Sequence, residues 1–96
     1  MVKDVVFSER YKRNFKKLRT ENKQAAREKL KLFLDDPFHP SFRTKKIQGA
    51  PGMWESSINM DIRMTWRWGD EEGVVELSNI GPHDKTLIAR PSRPSS

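Results

Sequence analysis

The 96-residue chain has no cysteine, one tyrosine, two histidines and no apolar run longer than a few residues. Without cysteine there is no disulfide framework and no thiolate zinc site. Two histidines, with no carboxylates clustered at ligand spacing, give no reason to expect a metal or any other cofactor. The short apolar runs cannot supply a membrane span. The first residues, MVKDVVFSERYK, carry charge where a secretion signal needs an apolar stretch, so the expected location is the cytoplasm. Hydrophobic residues make up 34% and charged residues 33%, which allows one small core under a heavily charged surface.

What is abundant is positive charge, and it is uneven. Residues 1–50 hold fourteen Lys+Arg against six Asp+Glu, whereas residues 51–96 hold five against seven. The formal net charge is +6. A basic face of this kind suits a solvated helix surface as well as a polyanion. Against a polyanion it gains affinity by releasing condensed counterions.

The pattern predicts the order β-α-α-β-β-β-β. Val2 to Phe7 is short and rich in β-branched residues, as in a strand. Ser8 can cap a following helix, with Glu9 in its first turn. Tyr11, Phe15 and Leu18 then mark an apolar stripe whose other faces carry Lys12, Arg13, Lys16 and Lys17. A break is expected at Thr20, Glu21 and Asn22. A second helix carries Ala26, Leu30, Phe33 and Leu34, and Asp36-Pro37 ends it. The helices should form an antiparallel hairpin.

From Thr44 the period becomes two. Strands are expected over 44–47, 53–59, 62–68 and 74–80, with Met60-Asp61 and 69–73 as turns. Gly81-Pro82-His83-Asp84 should break the last strand. The predicted class is α+β: a small twisted antiparallel sheet with the N-terminal strand, and the helical hairpin on one face. Residues 1–90 form one domain in this reading. The tail 91–96 has no apolar residue and is expected to be disordered.

The segments TKKIQG, MWESSINMDIRMTWRW and VVELSNIGPHD, in that order after a strand and two basic helices, resemble the RelE/ParE superfamily of bacterial type II toxins. The resemblance runs from Val2 to about Leu87. The His-Asp ending is closer to the RelE-type and YafQ-like members than to the ParE branch. It implies a metal-independent endoribonuclease that cleaves mRNA in the ribosomal A site, restrained by an antitoxin encoded nearby. The ParE branch, whose members act on DNA gyrase without cleaving RNA, and a basic RNA-binding domain without catalysis are the alternatives.

That chemistry needs a base for a ribose 2′-hydroxyl, an acid for the leaving 5′-oxygen, and cations on the phosphoryl oxygens. His83 matches the family's terminal histidine and titrates near neutrality, although a loop histidine can equally be a surface residue. Arg63 matches the family's strand arginine, a two-pronged phosphate clamp; on periodicity alone it is an exposed strand arginine. Lys45 and Lys46 lie where relatives carry catalytic side chains. Neighbours on a strand point to opposite faces, so one of the two should face the site, and Lys45 shares the parity of Ile47. Arg67, Asp84 and Arg90 could extend contacts to substrate, with Lys12 and Lys16 on the basic helix. His39 reads as a connector residue. Trp54 and Trp66 suit either the core or base stacking. The stretch His39-Pro40-Ser41-Phe42 lacks the acid that some relatives use as base, which leaves the general base unassigned. The implied partners are the antitoxin, the ribosome and mRNA. No membrane is among them.

Overall fold

A computed structural model describes residues 2–82. His83, Asp84 and Arg90, and the tail 91–96, lie outside the described residues. The elements are β1 (Asp4–Phe7), α1 (Glu9–Lys16), α2 (Thr20–Asp35), a short 3-10 turn (Pro40–Phe42), β2 (Lys45–Lys46), β3 (Trp54–Ser57), β4 (Ile62–Trp68) and β5 (Val74–Pro82).

Five strands form one sheet in the order β1-β5-β4-β3-β2. The last four are antiparallel neighbours joined by short turns, as expected. β1 instead runs parallel to β5, from Asp4 beside Val74 to Phe7 beside Leu77, so the sheet is mixed. The reason is topological. The two helices carry the chain from β1 to β2 at the far edge, antiparallel to β1, and three antiparallel steps from β2 to β5 then leave β5 parallel to β1.

The start of α1 is fixed by a cap and a bulge. Ser8 Oγ accepts from the Tyr11 N–H at 3.0 Å, the cap the sequence calls for. The same hydroxyl donates to the Ser78 carbonyl at 2.8 Å. Ser78 is the extra residue of a β-bulge, because Thr65 pairs with Asn79 while Trp66 pairs with Leu77. The break between the helices falls earlier than expected. Lys17 and Leu18 close α1 by bonds to the Asn14 and Phe15 carbonyls, both 3.1 Å. Arg19, in an extended conformation, then starts α2. Thr20 to Asn22 form the first turn of α2, where Glu21 complements the helix dipole. Asp36 is extended ahead of Pro37 and ends α2, as predicted.

The core lies between the helices and one sheet face. Phe33, Phe42 and Trp66 are fully buried and meet edge to face, Phe33 at 5.1 Å from Trp66 and 5.7 Å from Phe42. Such pairs add about 0.5–1.5 kcal/mol each beyond area burial. Met64, Val75, Leu77 and Ile80 complete the floor and Tyr11 and Ala26 the helical side. β5 runs on through Gly81 to Pro82, past the expected break. β1 ends opposite Leu77, so among the described strands β4 alone flanks β5 near Pro82.

A polar sheet face as candidate active site

Strand register sorts the side chains into two faces. Cross-strand partners share a face and alternate residues return to it. Lys45 pairs with Glu55, Glu55 with Thr65, and Thr65 with Asn79. Ser57 pairs with Arg63, and Arg63 with Gly81. Arg67 pairs with Glu76. All of these lie on the face opposite the core except Asn79, next to the bulge, whose side-chain oxygen accepts from Asn14 of α1 at 2.6 Å. Lys46 pairs with Trp54, which places it on the core side, its ammonium 5.6 Å from the Trp54 ring centre. The structure therefore separates the two lysines. Lys45 joins Arg63 and Arg67; Lys46 does not.

Arg63 is half-buried, and its position is set by the turn before β4. Asn59 Oδ1 accepts from the Asp61 and Ile62 N–H groups, both at 2.9 Å, which closes that turn. The Asn59 amide donates to Asn22 on α2 at 2.9 Å, tying the turn to the helix. One guanidinium nitrogen of Arg63 donates to the Asn59 carbonyl at 3.0 Å. The guanidinium is thus anchored at the turn end of β4. Arg67 Nε donates to Glu76 Oε1 at 2.6 Å, so this cation is already neutralised across the strands.

Lys45 and Arg63 are separated by two inter-strand spacings and two residues along β4, about 12 Å in all, a gap that two long side chains can close onto one phosphodiester. Gly81, two residues before His83 in the sequence, pairs with Arg63. Lys12 and Lys16 stand elsewhere. They line a groove of about 630 Å³ between α1 and α2, with Phe7, Tyr11, Phe15 and Leu30 as its apolar wall. Burial pushes the Tyr11 phenol up to about 12. Trp66 is core, fully buried, and its indole N–H donates to Ser56 Oγ at 2.9 Å. His39 caps the 3-10 turn by accepting the Ser41 N–H, in keeping with its connector role.

Sequence reasoning missed Glu55. It is buried at 2% exposure on the polar face, with Oε1 3.8 Å from the Lys45 ammonium. Its other oxygen has no hydrogen-bond partner among the described residues. The available signal was an acid inside an otherwise neutral strand segment, Trp54-Glu55-Ser56-Ser57. No group of three or more His, Cys, Asp or Glu among the described residues could hold a metal ion. No helix among them is long and apolar enough to cross a membrane.

No family model and no curated protein matches the chain by sequence. Solved structures do match by shape. The YafQ structure from E. coli superimposes with a TM-score of 0.71 at 11% identity, over 86% of this chain and 96% of that one. The fold is RelE/ParE-like. The archaeal RelE–RelB complex from Pyrococcus horikoshii gives a TM-score of 0.68 at 14% identity, over 85% of this chain and 96% of its match. The RelBE toxin–antitoxin complex of E. coli gives 0.64 at 23% identity, over 81% and 93%. Identities this low speak to the RelE/ParE-like fold alone, and the side chains on its polar face carry any further argument.

Proposed function

We propose that this chain is the toxin of a type II toxin–antitoxin pair and acts in the cytoplasm as an endoribonuclease on ribosome-bound mRNA. The observation that carries this reading is the grouping of Lys45, Arg63 and Arg67 on one sheet face, reached by long cationic side chains from three positions. Arg63 would grip the scissile phosphate through two parallel N–H···O bonds. Lys45 would stabilise the charge that develops on the phosphoryl oxygens. His83 would protonate the leaving 5′-oxygen, with Asp84 and Arg90 extending the contacts to substrate. The products would be a 2′,3′-cyclic phosphate and a 5′-hydroxyl end.

The second partner is the antitoxin. The groove between α1 and α2 has an apolar wall rimmed by Lys12, Arg13, Lys16 and Arg27, with Glu9 as the one acid among the described residues that line it. An amphipathic helix with acidic flanks fits such a surface. This supports a tight complex with the product of an adjacent gene; co-expressed partners that separate on gel filtration would contradict it.

The deciding experiment is 5′-end mapping of mRNA in a reconstituted translation reaction, with wild type beside His83→Ala and Arg63→Ala. New ends inside A-site codons, made by wild type and lost in both variants, are expected. Translation arrest without new ends would replace the nuclease by a binding-only inhibitor. Normal translation would redirect attention to gyrase.

A further inference from the structure

The proposed reaction still lacks a base, and the polar face offers an acid for that role. Among the described residues this face carries three carboxylates, on Asp4, Glu55 and Glu76. Asp4 lies on edge strand β1 and accepts the Val5 N–H at 2.8 Å. Glu76 is held by Arg67 at 2.6 Å. Glu55 alone is central, on β3 between Lys45 and Thr65, and it keeps a buried oxygen that no donor among the described residues meets. A buried acceptor without a donor is unfavourable, so its place in the sheet makes sense if a donor arrives with a ligand. A ribose 2′-hydroxyl is such a donor.

We propose that Glu55 is the general base of this face. This rests on the nuclease reading above. The Lys45 ammonium lies 3.8 Å from Oε1, outside hydrogen-bond range, on a side chain that is 70% exposed. An incoming phosphate competes for that ammonium and draws it off the carboxylate. The 2′-hydroxyl then gives its proton to Glu55 as its oxygen bonds to phosphorus. The P–O5′ bond breaks, and the 5′-oxygen takes a proton from the acid, assigned above to His83. No other reactant is needed. Lys45 and Arg63, from the strands on either side, offset the repulsion between carboxylate and phosphate.

The test compares wild type, Glu55→Asp and Glu55→Gln in single-turnover cleavage of ribosome-bound mRNA. A base predicts that Gln lowers the rate by about 10²–10⁴-fold, with mRNA–ribosome binding unchanged, while Asp retains part of the activity. A carboxylate that only packs predicts the reverse order, because Gln keeps its shape and Asp does not. A second substrate carries sulfur in place of the scissile 5′-oxygen and needs no acid. It should restore His83→Ala and leave Glu55→Gln slow. Restoration of Glu55→Gln by sulfur, or Gln activity above that of Asp, overturns the assignment. No cleavage by wild type would overturn the nuclease reading itself, a result plainly different from an active Gln variant.

Discussion

Removing one hydroxyl should loosen the strand that carries Lys45. Trp66 Nε1 donates to Ser56 Oγ at 2.9 Å. Ser56 and Thr44 hydroxyls meet at 2.7 Å, and Thr44 Oγ1 donates to the Pro37 carbonyl at 2.8 Å. Since Thr44 spends its proton on Pro37, Ser56 must donate to Thr44, and the chain runs in one direction from indole to carbonyl. It ties β4 and β3 to the residue just before Lys45. Ser56→Ala strands a buried indole N–H and deprives Thr44 of its donor. Leaving a buried donor unmade costs about 1–3 kcal/mol, so a loss of about 2 kcal/mol is expected. In a domain of this size that lowers the melting midpoint by about 10 °C. Urea unfolding of Ser56→Ala, Thr44→Val and the double variant gives the cycle. Ser56→Ala should cost less once Thr44 is valine, with a coupling of about 1 kcal/mol. Strict additivity, or a Ser56→Ala loss below about 0.5 kcal/mol, would refute the relay.

Phe33→Ala removes a ring with no exposed surface that touches both Phe42 and Trp66, and should cost about 3–5 kcal/mol by urea unfolding. Tyr11 is neutral when folded, and its folded value of about 12 lies above the ordinary 10.0. Its contribution is therefore complete below pH 10 and is lost as pH rises towards 12, about 2–3 kcal/mol in all. Tyr11→Phe should flatten stability over that window, and tyrosinate absorbance reads Tyr11 directly because the chain has one tyrosine. Gly73 adopts φ +81°, and an added Cβ would stand 3.0 Å from Lys3 Cγ, so Gly73→Ala should cost about 1–2 kcal/mol in the same unfolding assay.

The readable parts of the chain were those with local causes. β4 follows from strict alternation over Ile62, Met64, Trp66 and Trp68, and the Ser8 cap from its neighbours. The end of α2 follows from the proline after Asp36. What was not legible depends on partners distant in sequence. Nothing in Val2–Phe7 says that β1 pairs parallel with Val74–Leu77, since Asp4 meets Val74 only in the assembled sheet. The Ser78 bulge arises where β5 meets both Ser8 and Trp66. On the polar face, parity does put Lys45 with Arg63. That Glu76 occupies Arg67, and that Glu55 is covered, depends on neighbouring strands and is invisible in a linear pattern.

The parallel pairing of β1 with β5 has a bearing on how the protein comes into being. Translation delivers β1 first and β5 last of the five strands, yet β5 sits between β1 and β4. A nascent chain can form its helices and the β3–β4 hairpin early, since these contacts are local. Completion waits for the closing strand, because long-range pairing must first overcome the entropy of a large loop. Until β5 emerges, β1 has no strand to join, β4 presents a bare edge, and Arg63 has neighbours on one side only. Assembly of the face is thereby postponed until the last of the five strands is made, and a chain cut short before Val74 would leave it unmade.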